Sequence, residues 1–231
     1  MLSGDRMYNK QKAFTLAEVL ITLLIIGVIA SLVIPAIIND TQKQELYTSF
    51  KKEYSNIGNA AKLMMSDNGG SFVGMFDDQS DMMNDFGNYL VFTKKCSAGL
   101  QGCFYTGTSS WKVLSGQDGW FSFTDYPTAI MNDGSFIRFY FASSDCSMSY
   151  GAGSYAQYSC GWIDVDVNGP KKPNVLGRDI FRIFVTRTGI YPSGIPKETY
   201  SDTSYFCNKD VDDQFSGRAC AIKVLKGEDI P

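Results

Sequence analysis

The chain has 231 residues, a formal net charge of −3, six cysteines and no histidine. That length has room for one long helix plus one domain of ordinary size with a buried core. The acidic balance argues against general nucleic-acid binding, and the lack of histidine excludes Ser-His-Asp and Cys-His catalytic sites and disfavours zinc. No Gly-x-Ser-x-Gly elbow or phosphate-binding loop is present.

Residues 1–13 are polar and basic and read as a processing leader rather than part of the fold. Asp5, Arg6, Lys10 and Lys12 give the leader a net charge of +2, so its removal takes the chain from −3 to −5. Met7 is an alternative start and would leave a seven-residue leader. Residues 19–38 contain no ionisable side chain, and as a helix these twenty residues span about 30 Å, the hydrocarbon thickness of a bilayer. Glu18 stands at the edge of that run. The basic flank before it predicts a cytoplasmic amino terminus, with the rest of the chain outside. An ordinary secretory signal fits less well, because the apolar run exceeds the usual core of roughly 7–15 residues and begins beside a carboxylate.

The stretch Lys12-Ala13-Phe14-Thr15-Leu16-Ala17-Glu18-Val19-Leu20-Ile21 resembles the amino-terminal signature of type IV pilins and type II secretion pseudopilins. The resemblance implies a cut between Ala13 and Phe14 by a dedicated membrane peptidase, the prepilin peptidase, and methylation of the new amine. It also implies polymerisation of the mature subunits into a helical filament. Glu18 becomes the fifth mature residue, and Gly27 and Pro35 match places where such helices loosen. Ala13 stands where the family more often has Gly. The implied partners are further copies, other pilin-like subunits and the inner-membrane assembly machinery. The implied location is a single pass through the inner membrane, with the outer domain in the periplasm or on a cell-surface filament. This likeness covers only the first quarter of the chain.

Past Pro35 the helical period returns in Leu46, Phe50, Tyr54, Ile57, Ala61 and Met64, a stripe that needs a surface to lie on. One helix over residues 14–66 is predicted, about 80 Å long, with a kink or local melting at Pro35 and a stop at Asn68-Gly69-Gly70. The domain reading is therefore leader 1–13, membrane and assembly helix 14–38, outer half of the helix 39–68, and extracytoplasmic domain 69–231. A short helix is expected over residues 80–86, and strands over residues 89–93 and 120–124. Asn132-Asp133-Gly134 between two strand-forming runs, 128–131 and 135–141, predicts a hairpin. Residues 162–167 alternate apolar and acidic, and residues 180–185 are the expected antiparallel partner. The fold class is α+β: an antiparallel sheet of about four strands packed on the outer half of the helix.

Cys96, Cys103, Cys146, Cys160, Cys207 and Cys220 all lie beyond the membrane segment and read as disulfides of an oxidising compartment. Fifteen pairings are possible, and the local one, 96 with 103, 146 with 160 and 207 with 220, closes the shortest loops. Asp164-Val165-Asp166-Val167-Asn168-Gly169 has the D-x-D-x-N-G opening of a calcium loop. Its twelfth position is Val175 rather than Glu, and Asp179 is the candidate late carboxylate. Some pseudopilins hold calcium between carboxy-terminal strands, so the resemblance adds to this reading. The competing reading is a strand ending in an Asn-Gly turn, with Asp164 and Asp166 on a solvated face. The same face reading weighs against a glycosidase pair at these two residues. Residues 147–159, rich in Gly, Ser and Tyr, read as a disulfide-pinned loop or an adaptable contact surface. The chain is thus expected to be a non-catalytic filament subunit without a cofactor other than the candidate calcium. The alternative is a membrane-anchored extracytoplasmic enzyme or binding domain on a similar anchor.

Overall fold

A computed structural model of the chain describes residues 15–200 and 202–230, apart from the side chain of Ala36. The leader and the Ala13–Phe14 junction lie outside the described residues. The described residues divide into two compact units, with the boundary between Gln42 and Lys43.

Helix α1, Leu16–Asp67, is one unbroken α-helix of 52 residues. Its early part is apolar on all sides: an 18-residue window reaches a mean hydropathy of 2.9 with none of it buried. A helix without a polar face has no orientation that satisfies water, so this segment requires lipid or protein around it. Pro35 sits inside α1 without interrupting it, so the melting expected there does not occur. Proline removes one amide donor, but propagating a helix already formed on both sides is far easier than nucleating a new one.

In the second unit the expected stripe is the buried edge of α1: Phe50, Ile57, Ala61 and Met64 are buried, and Tyr47, Glu53 and Ala60 join them. Phe50 stacks on Phe181 of the sheet at 4.2 Å. Each such large apolar side chain contributes roughly 1.5–3 kcal/mol on full burial. The helix stops where Gly69 and Gly70 take positive φ and the Gly70 amide returns to the Met65 carbonyl at 2.7 Å. Lys43 pairs with Asp229 at 2.8 Å and the Tyr47 hydroxyl accepts from the Ile230 amide at 3.3 Å, tying the carboxy-terminal end of the chain to this stretch of α1. Helix α2, Gln79–Phe86, is capped by Asp78, whose carboxylate accepts from the Ser80 and Asp81 amides.

The sheet has six antiparallel strands in sequential order, not four: β1 Phe92–Cys96, β2 Thr128–Met131, β3 Phe136–Phe141, β4 Ser159–Asp166, β5 Ile180–Thr186 and β6 Gly189–Pro192. The hairpin at Asp133-Gly134 joins β2 to β3, and β4 pairs antiparallel with β5. Two expected elements differ. The strand expected at residues 89–93 begins three residues later, because the Tyr89 and Leu90 amides still bond the Phe86 carbonyl and extend the end of α2. Residues 120–124 make no strand. Ser122 and Asp125 form a capping box around a 3-10 turn, Phe123–Asp125, and Trp120, Phe121 and Phe123 enter an aromatic cluster with Trp111.

One face of the sheet, with Ile137, Phe139, Ile163, Val165, Phe181 and Ile183, shares the main core with α1. The opposite face is covered as well, by two smaller cores built around Trp111 and Phe123 and around Phe184 and Ile195. Disulfides join Cys96 to Cys103, Cys146 to Cys160 and Cys207 to Cys220. Helices α3, Thr203–Phe206, and α4, Cys220–Lys226, complete the loop-rich tail, and the Cys207–Cys220 bridge links them.

Candidate functional site

At the start of α1, Thr15 and Glu18 bond each other reciprocally. Glu18 Oε2 accepts from the Thr15 amide and from its hydroxyl, both at 2.8 Å, while the Glu18 amide donates to Thr15 Oγ1 at 3.2 Å. This is a capping box: a Thr at the cap and a Glu three residues on satisfy amides that the first helical turn leaves unpaired. The sequence carries that signal as Thr-x-x-Glu before an apolar run. Among the described residues Glu18 has no cationic partner within 4 Å, and the side chain is fully exposed, so its charge is available to another molecule. Gly27 lies within α1 with open space around the position of a Cβ. Close approach by a second helix is easiest at such a residue.

The four residues of the candidate calcium loop divide. Asp164 is not on a solvated face; it is buried, and both its oxygens are held by guanidiniums. Arg138 donates to Oδ2 through Nε at 2.9 Å and through Nη2, and Arg182 donates to Oδ1 at 2.7 Å and to Oδ2 at 3.0 Å. Register explains the arrangement: Arg138, Asp164 and Arg182 stand directly opposite one another on β3, β4 and β5. Burial alone would raise the Asp164 carboxyl, but the Arg138 and Arg182 charges outweigh it and hold it at about 2. A carboxylate so engaged has no free oxygen for a metal or a sugar.

Asp166 is also buried, contrary to the solvated-face expectation, because residues 97–126 fold over this side of the sheet. Its Oδ2 accepts from the Tyr105 hydroxyl at 2.8 Å and its Oδ1 from the Asn168 amide at 3.2 Å. Burial, and then the charge of nearby Asp179, push the Asp166 carboxyl well above its ordinary range. Burial raises Asp179 to about 6, against the opposing pull of the Val175 and Asn174 amides that donate to it at 2.6 and 2.7 Å. Asp166, Asn168 and Asp179 are therefore brought together, and Asp164 is turned to other work. Asn168 Oδ1 and Asn174 Oδ1 are buried and without a hydrogen-bond partner among the described residues.

Comparison with protein families decides what the helix start is. Residues 8–34 match the prokaryotic N-terminal methylation motif. This motif is the signature of the prepilin-type segments of type IV pilins and pseudopilins. The matched residues contain Ala13, Phe14, Glu18 and Gly27; Pro35 and everything after it lie beyond the match. No curated protein and no solved structure matches the chain. The methylation motif and the apolar start of α1 together point to membrane anchoring and to a structural subunit processed by a prepilin peptidase.

Proposed function

We propose that the chain is a subunit of a type IV pilus or of a type II secretion pseudopilus, held in the inner membrane before assembly and built into the filament through the first part of α1. The observation that carries this reading is the methylation motif running without a break into a helix that is charge-free over residues 19–38, with one exposed carboxylate at its start. An acidic side chain at the bilayer centre costs on the order of 2.5–3.5 kcal/mol, and a desolvated site at the membrane edge needs compensation of the same kind. Cleavage before Phe14 creates an amine that compensates Glu18 when the two come from neighbouring subunits, and that pairing sets the axial register of assembly. The test is mass spectrometry of the chain recovered from its native membrane. A mature form beginning at methylated Phe14 is expected, whereas a chain that keeps its leader beside an active prepilin peptidase overturns the reading.

Calcium at Asp166, Asn168 and Asp179 is proposed alongside it. These are hard oxygen donors of the kind calcium takes, and the Asn168 oxygen, like that of neighbouring Asn174, is buried without a hydrogen-bond partner among the described residues, which supports the fit. Calcium would supply positive charge between two buried carboxylates, and by mass action it would raise the melting temperature of the outer domain. Unchanged melting in calcium and in chelator would remove it.

A further inference from the structure

The filament reading leaves unused a cleft of about 540 Å³ on the sheet face that turns away from α1. Three arginines line it, Arg138, Arg182 and Arg218, and all three are buried. Asp164 serves the first two. Arg218 lies over the Tyr200 ring at 3.9 Å, and its Nε has no hydrogen-bond partner among the described residues. Glu198 is the other carboxylate whose charge reaches Arg218, but its oxygens accept from the Ser193 hydroxyl at 3.0 Å and the Gly194 amide at 2.5 Å. Around the cleft itself three guanidiniums face two carboxylates, Asp164 and Glu198, one negative charge too few; Asp166 and Asp179, on the same face, bond Tyr105 and the Val175 and Asn174 amides instead. The walls are aromatic. Tyr140 and Trp162 stack at 3.7 Å, and the buried Trp162 Nε1 is a second donor without a partner among the described residues.

A buried cation without a full complement of partners is costly, and a cleft combining aromatic walls with a few convergent polar groups is the usual form of a small-molecule site. We propose that this cleft binds a ring compound bearing one carboxylate, with the carboxylate on Arg218 and the ring between the walls formed by Tyr140, Trp162 and Tyr200. A planar guanidinium matches a carboxylate through two parallel hydrogen bonds. The charge balance selects a monoanion: one carboxylate neutralises the site, whereas a dianionic phosphate overshoots it. The inference goes beyond filament assembly and does not depend on it.

Two of the three tryptophans, Trp120 and Trp162, line the cleft, so tryptophan emission of the full-length chain in detergent micelles reports on it directly. Galacturonate and benzoate are titrated separately, with galactose and inorganic phosphate as comparators. A saturable change with at least one acid, and a response at least about tenfold weaker to galactose and phosphate, is the expected result. A response to galacturonate alone assigns the ring to a saccharide, and a response to benzoate alone assigns it to an aromatic acid. Arg218→Lys keeps the charge and removes the planar fork, so it should weaken binding about tenfold at an unchanged melting temperature. Arg218→Gln should abolish binding. If Arg218→Gln does not fold, the wild-type and Arg218→Lys titrations decide. No saturable response to either acid, phosphate binding as tightly as the acids, or unaltered affinity in Arg218→Lys overturns the proposal.

Discussion

Glu18 and Asp164 are carboxylates set among apolar side chains, one at the start of α1 and the other at the centre of the sheet, and they are satisfied in opposite ways. Glu18 bonds a residue three positions away in its own first turn. Asp164 bonds arginines 26 and 18 positions away on the flanking strands. A local hydrogen bond neutralises no charge, so Glu18 remains free to attract a cation from another molecule. The long-range pair consumes the charge of Asp164 and cross-braces three strands. Two acidic residues that look alike in composition thus differ: the charge of Asp164 is spent within the fold, and that of Glu18 is left for the assembly role proposed for it.

The sheet side of that contrast carries the largest expected effect. Asp164→Asn keeps the shape and removes the charge, leaving Arg138 and Arg182 buried without a counterion, a change that costs about 3–5 kcal/mol. Thermal melting followed by circular dichroism should show the outer domain largely destabilised. A loss below about 1 kcal/mol would mean that the triad is solvated and the contrast with Glu18 false.

Elements made by neighbours in sequence were legible, and those made by distant segments were not. Asp133-Gly134 announced its hairpin because a two-strand turn is decided by a few residues. The stripe through Phe50, Ile57 and Met64 announced the buried edge of α1 because the helical period is local. Alternation in residues 162–167 shows that two faces differ but not what covers the second one, so the pattern alone places Asp164 and Asp166 on a solvated face. The covering loops, with their cores at Trp111 and Phe184, have no period of their own. Strands β1 and β6 leave little signal in the sequence because edge strands are short and mostly polar or half-exposed; Lys94 and Lys95 are exposed, and β6 holds only Gly189–Pro192. Aromatic residues 120–123 resembled a strand because β-propensity measures packing on a pleated surface, and here the packing partners were other loop residues. At the helix start everything needed for the cap lay within four residues, and the methylation motif covers that same stretch.

Glu53 sharpens the comparison, since it lies on α1 like Glu18 but is buried like Asp164. Burial, then the neighbouring Asp133 carboxylate, push its carboxyl up to about 7, with Lys52 pulling the other way. A folded value raised above the ordinary 4.5 contributes stability that is present below pH 4.5 and is lost as pH rises through 7. Glu53→Gln should therefore melt about 2–6 °C higher than the parent at pH 8 and show a smaller advantage at pH 4.5. An advantage independent of pH would contradict the assignment.

The smallest effect on stability and the largest on function are expected together at Glu18. Gln at the third helical position still serves a capping box, so Glu18→Gln retains the bond to Thr15 and removes only the charge. Membrane insertion, cleavage before Phe14 and melting of the outer domain should all match the parent. The deciding measurement is filament yield from cells in which Glu18→Gln is the sole copy: severe loss of filaments alongside normal processing is the predicted result. A normal yield would contradict the claim that this chain assembles through the charge at the start of α1.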